Sequence, residues 1–151
     1  MTAAEGGRIR SLEYLNRRVS FDGMEYRLNG RKLVPMSDID GLTDAHGKGW
    51  ILYECKHGDS MPPAGQLLTI ERLIDGLTEG GKPAVAYVCS HGDCETVLLK
   101  DCIVTAYYTT ARGWKKYGRD FTKRLTAKQV TDVFLRKNAP EMLPGEDDAR
   151  G

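Results

Sequence analysis

The stretch ILYECKHGDSMPPAGQLLTIERLIDGLTEGGKPAVAYVCS, residues 51–90, decides the fold. Ile51, Leu52 and Tyr53 suit the interior of a strand. HGDSMPPAG then collects turn formers and reads as a loop. Over residues 65–78 the period changes. Leu67, Ile70, Ile74 and Leu77 fall three and four apart, which is one face of a helix, and Gly80-Gly81 supplies its stop. PAVAYVCS is short and almost wholly apolar, as expected of a strand buried on both faces. Strand, helix and strand in this order make a βαβ unit.

Before this unit, residues 39–43 read as a strand, residues 44–48 as its turn and residues 50–56 as the returning strand. FDGMEYRLNGRKLVPM carries Asp22-Gly23 and Asn29-Gly30, and the second dipeptide joins two short strand-like runs. RIRSLEYLNRRV, residues 8–19, keeps Ile9, Leu12 and Leu15 on one helical stripe. After the unit, His91-Gly92-Asp93 is a turn and ETVLLKDCIVTAYYTT gives one or two further strands. RGWKKYGRDFTKR is basic and aromatic with two glycines, and reads as a loop or irregular arm. Thr126 with Gln129 three positions on forms a capping box for a last helix that stops before Pro140. The expected fold is α/β or α+β, a central mixed sheet flanked by helices. One domain is expected over residues 1–138, followed by an acidic, disordered tail at residues 139–151.

Composition sets the remaining bounds. The chain has 151 residues, 40% hydrophobic and 28% charged, as in soluble globular proteins. No apolar run reaches the length of a membrane span, and MTAAEGGRIR lacks the apolar stretch of an export signal. A cytoplasmic protein with no membrane partner is expected. Cys55, Cys89, Cys94 and Cys102 are then expected as reduced thiols, mostly small apolar fillers. Cys89, His91, Cys94 and Cys102 also offer zinc donors, but without the usual paired spacing.

The net charge of +1 conceals four blocks. Residues 1–33 carry seven Lys/Arg against four Asp/Glu, residues 34–110 five against eleven, residues 111–137 nine against two, and residues 138–151 one against four. An acidic centre between basic arms fits either a metal site beside a phosphate-binding surface or a patchy solvated surface.

Within the acidic block, Glu54 and Lys56 share one face of their strand, because successive side chains alternate. The proposed hairpin brings Asp40 beside them, since antiparallel neighbours sit about 5 Å apart. Two carboxylates with a backbone carbonyl form a hard-oxygen set suited to Mg²⁺ or Mn²⁺. A lysine two residues on can orient a metal-activated water. The competing reading is a same-face ion pair at a strand end.

Asp40, then Glu54-Cys55-Lys56, a loop, and Gln66 opening a helix: this pattern resembles the PD-(D/E)xK nuclease superfamily, in its VRR-NUC and Holliday-junction-resolvase-like branch. The resemblance covers residues 34–88. It implies a restriction-endonuclease-like mixed sheet, a divalent metal (Mg²⁺ or Mn²⁺) and hydrolysis of DNA phosphodiesters. Asp40 or Asp38 matches the first motif acid, Glu54 the second, Lys56 the motif lysine and Gln66 the downstream glutamine. Asp40 fits a short hairpin better, and Asp38 reads equally as a turn former. Gln66 reads alternatively as a plain helix-start residue. Glu13 is the match for a first-helix glutamate found in some members. The proline expected before the first acid is replaced by Ile39.

In the basic block, Arg112, Lys115, Lys116, Arg119, Lys123 and Arg124 alternate with Trp114, Tyr117 and Phe121. Such cations neutralise phosphates and such rings stack on unpaired bases. The alternative is a solvated loop whose rings pack on the core. Arg17 and Arg18 can extend the same surface. A nuclease acting on branched or duplex DNA, working as a homodimer, is the expectation. The alternative is a nuclease-fold protein that binds nucleic acid or a protein partner without cutting.

Overall fold

The computed structural model describes residues 22–33, 37–117 and 124–145. The expected helix at residues 8–19 lies outside them. The chain divides into two compact units, residues 1–37 and 38–151. In the first, β1 (Tyr26–Leu28) and β2 (Arg31–Leu33) pair antiparallel. Asn29 (φ 51°) and Gly30 (φ 78°) turn the hairpin. Two successive positive φ values suit asparagine and glycine, which explains the dipeptide.

The second unit is a five-stranded mixed sheet in the order β3-β4-β5-β6-β7. Its strands are Gly41–Asp44, Trp50–His57, Ala84–His91, Ile103–Thr109 and Gly113–Lys116. β4 and β5 are parallel, and the other neighbours are antiparallel. Helix α1 (Ala64–Glu79) is the crossover between the parallel pair, and α2 (Ala127–Asn138) follows β7. This is the expected α+β arrangement of a mixed sheet with helices. Among the described residues no helix is long and apolar enough to cross a membrane.

Both faces of β4 are buried, and this accounts for its unbroken apolar run. On one face Leu52 packs with Ile70 and Ile74 of α1, with Ala84, Ala86 and Tyr108 beside them. Small alanines let the helix approach the sheet closely. On the other face Ile51, Tyr53, Val85, Cys89 and Val104 pack with Ala127 and Val130 of α2. The capping box opening α2 forms as expected: Gln129 N–H donates to Thr126 Oγ1 (3.2 Å) and Thr126 N–H to Gln129 Oε1 (2.9 Å). The Tyr53 hydroxyl lies 3.0 Å from Thr43 Oγ1 and 2.6 Å from Thr131 Oγ1, tying α2 to the β3–β4 hairpin. Gly49 is required there: a Cβ would lie 2.8 Å from the Phe134 ring and 3.0 Å from the Pro83 carbonyl.

Three local expectations change and one is settled. β3 spans Gly41–Asp44, not residues 39–43. Asp40 Oδ2 accepts the Cys55 N–H at 2.7 Å, so a side chain replaces the backbone as the next acceptor and the ladder stops. RGWKK is not an irregular arm. Its residues Gly113–Lys116 form edge strand β7, entered through Gly113 at φ 66°. Of the one or two strands expected in ETVLLKDCIVTAYYTT there is one, preceded by a short 3-10 turn at Leu99–Asp101. Finally, the expected disordered tail starts too early. Ala139 is fully buried with Ala45 and Leu135, Leu143 packs beside them, Pro140–Met142 form a 3-10 turn, and Lys48 pairs with Glu141.

Candidate metal and nucleic-acid site

Glu54 sits in the second half of β4, on the face that carries Leu52 and packs toward α1. It is only 4% exposed. Its Oε1 forms an ion pair with Lys56 Nζ at 2.9 Å, and no other polar partner reaches this carboxylate among the described residues. Lys56 keeps 27% of its side chain exposed, so the pair opens to solvent at the lysine. A buried carboxylate ordinarily gathers several donors, because each unmatched lone pair costs desolvation energy. Glu54 has one.

Asp40, just before β3, reaches the same short segment. Its carboxylate holds the N–H of Cys55, the residue between Glu54 and Lys56. It also lines a small cavity of about 340 Å³ with Cys55, His91, Val97 and Leu99. The Cys55 thiol is pushed up to about 11, first by burial and then by the negative charge of Asp40. The two acids therefore meet at Cys55, one through its N–H and the other as its preceding residue. Asp38 is exposed just before β3. Gln66 is the third residue of α1 and half-buried. Because α1 starts from the loop after β4, Gln66 stands at the Lys56 end of the sheet. Glu13 lies outside the described residues.

No group of three or more His, Cys, Asp or Glu side chains converges to hold a metal among the described residues. The set expected from sequence supplies only two carboxylates, Asp40 and Glu54, with a backbone carbonyl between them, and Asp40 already accepts the Cys55 N–H. By chemistry alone, so few oxygen donors suit a hard divalent ion that keeps several waters. The set does not fit zinc, and the four cysteines are all free thiols. Burial raises Cys89 to about 12, as it does for a thiol used as core filler.

The basic segment is less uniform than its sequence. Lys115 and Lys116 are exposed on edge strand β7. Lys116 stands opposite Ala106, Ala106 opposite Val88, and Val88 opposite Glu54, so Lys116 and Glu54 share one sheet face along a single row. Arg112, in the β6–β7 turn, donates to the Tyr107 hydroxyl at 3.2 Å. Trp114 is not a free stacking ring. Its Nε1 donates to Glu71 of α1 at 2.8 Å and it packs against Tyr108, ring centroids 5.3 Å apart. Arg124 is not a free phosphate contact either: its side chain is 5% exposed and pairs with Asp59 at 3.3 Å. Both fill packing positions, as the core-packing alternative expected for the rings. Arg119, Lys123, Arg17 and Arg18 lie outside the described residues.

A histidine pair escaped the sequence reading. His57 is the last residue of β4, not a loop residue, and stands in register with His91 at the end of β5. The rings are 5.7 Å apart, edge to face, and His57 Nε2 lies 2.8 Å from Asp93 Oδ1. The signal was present as two histidines ending two strands of equal length in a βαβ unit. Its use required knowing the parallel register. No protein-family model, curated protein or solved structure matches this chain.

Proposed function

We propose that the chain is a divalent-metal-dependent nuclease of the PD-(D/E)xK type, hydrolysing DNA phosphodiesters. The observation that carries this reading is the buried Glu54 carboxylate, which has one partner and lies beside Asp40 at Cys55. Asp40 and Glu54 would hold Mg²⁺ or Mn²⁺, with Asp38 outside the set. Such an ion polarises a phosphoryl oxygen and makes bound water a stronger nucleophile. Lys56, its ammonium anchored on Glu54, orients the attacking water and offsets the charge that grows on the phosphate. Water oxygen bonds to phosphorus and gives up a proton to solvent, the bridging P–O bond breaks, and the leaving oxygen takes a proton from solvent. Gln66 supplies a polar group at the same end. A single such site cuts one strand at a time, so a homodimer is the natural form for duplex or branched DNA. One observation favours a non-cutting binder instead: Asp40 is already engaged by the Cys55 N–H.

Cleavage of linear, single-stranded, flapped and four-way DNA with Mg²⁺, Mn²⁺ or EDTA decides between the two. Metal-dependent cutting of any of these supports the nuclease, and none at all leaves the binder. Calorimetric titration with Mn²⁺ separates the two aspartates. Asp40→Asn keeps an oxygen for the Cys55 N–H but loses the charge, so Mn²⁺ affinity should fall at least about tenfold. Asp38→Asn should change it little. The reverse ranking would move the first acid to Asp38.

Lys115 and Lys116 point to DNA along the β7 edge. If each neutralises a phosphate, Lys115→Ala with Lys116→Ala lowers the slope of log K against log salt by about 2. An unchanged slope, with folding intact by circular dichroism, would leave these lysines as guards against edge-to-edge pairing. Trp114→Ala should lower thermal stability without selectively weakening single-stranded DNA.

A further inference from the structure

A cleft of about 610 Å³ opens at the far end of the β4–β5 pair from Lys56, where β5 begins, the β6–β7 turn passes and α2 ends. Its size lies within the usual range for small-ligand sites, about 300–1,000 Å³. Tyr87, Tyr107, Tyr117 and Phe134 supply its aromatic walls, and Arg112 and Lys137 its charge. None of its lining residues is a carboxylic acid. The Tyr107 and Tyr117 rings are 5.6 Å apart and tilted. Arg112 is fixed over this cluster by its hydrogen bond to the Tyr107 hydroxyl. The Tyr87 hydroxyl has no hydrogen-bond partner among the described residues, although the residue is largely buried. A phenol without a partner at the wall of a cleft is a group that a polar ligand can satisfy.

We propose that this cleft binds a nucleoside monophosphate, with its base against the tyrosine and phenylalanine rings and its phosphate at Arg112. Flat aromatic walls accept any base, because every base has a π face. A wall without acids beside an arginine suits a phosphate, which a guanidinium can grip with two parallel hydrogen bonds. The helix dipole decides which cation matters more. Lys137 lies in the last turn of α2, where unpaired carbonyls repel an anion. The phosphate therefore sits at the β6–β7 turn, and Lys137 adds only a longer-range attraction. The site shares no residue with Asp40, Glu54 and Lys56, so it does not depend on the nuclease reading.

Calorimetry in EDTA with AMP, adenosine and ribose 5-phosphate tests the proposal. AMP should bind with a sub-millimolar Kd, and adenosine and ribose 5-phosphate each at least about tenfold more weakly. Arg112→Ala should weaken AMP binding at least about tenfold, Arg112→Lys less, and Lys137→Ala less than Arg112→Ala. Both side chains are exposed, and a circular dichroism melt checks that each variant folds. A 5′-phosphorylated oligonucleotide identifies the source. Binding tighter than AMP assigns the cleft to a strand end, and binding equal or weaker assigns it to the free nucleotide. The proposal is overturned if AMP does not bind at millimolar concentration, if adenosine binds as well as AMP, or if Arg112→Ala leaves AMP affinity unchanged.

Discussion

Glu54→Gln should reduce metal-dependent DNA cleavage at least about a hundredfold while leaving DNA binding intact. The amide matches the carboxylate in shape, so packing around Leu52 and α1 is undisturbed. What it lacks is the charge. A divalent ion held by two carboxylates loses half its anionic donors, and the amide oxygen is a much weaker ligand. Lys56 loses its anionic anchor at the same time and becomes free to leave the position where it orients water. Both losses act on the chemical step. On the proposed reading DNA is held by cations elsewhere, and removing a negative charge from the site would not weaken that binding electrostatically. Gel cleavage and fluorescence anisotropy on the same substrate report the two quantities separately. A variant that cuts within about threefold of the original protein would remove Glu54 from the site.

The βαβ unit was legible in residues 51–90 because its signals are local and redundant. Apolar spacing, the loop and the Gly80-Gly81 stop each act over a few residues, and they agree. The start of β3 was not legible. Asp40 ends the ladder by a side-chain bond to Cys55, fifteen positions away, and nothing local announces it. β7 was hidden for a similar reason. RGWKK has the composition of a loop, and its strand depends on Trp114 being held by Glu71 and Tyr108. Trp114 and Arg124 show the same limit in the site. Each residue type suits nucleic acid, but an aromatic ring or a guanidinium serves a packed interior equally well when a carboxylate is within reach. Only the partners decide, and the partners come from distant parts of the chain. Glu54 and Lys56 were legible because the alternation of a strand is strict. Two residues apart means one face, whatever the tertiary context.

Replacing Lys56 separates what the ion pair does for stability from what it does for chemistry. Lys56→Met keeps the length of the aliphatic stem and removes the ammonium. Glu54 then remains buried, its side chain 6% exposed, with no counter-charge. Breaking a buried pair from one side costs about 3–5 kcal/mol, and the low end applies because Lys56 is 27% exposed in the pair. A loss of about 3 kcal/mol in a chain of this length lowers Tm by roughly 6–12 °C. Removing both charges behaves differently. Glu54→Leu with Lys56→Met leaves no buried charge to desolvate, and apolar pairs in such positions often match or exceed the ion pair in stability. The double variant should therefore return to within about 1 kcal/mol of the original protein, or above it, in urea denaturation. It should also have no cleavage activity at all. Recovery of stability with total loss of cutting would show that the buried carboxylate is kept for chemistry at a cost to the fold. A double variant as unstable as Lys56→Met alone would show the reverse: the pair is a structural element of β4, and the case for a metal site at Glu54 falls with it.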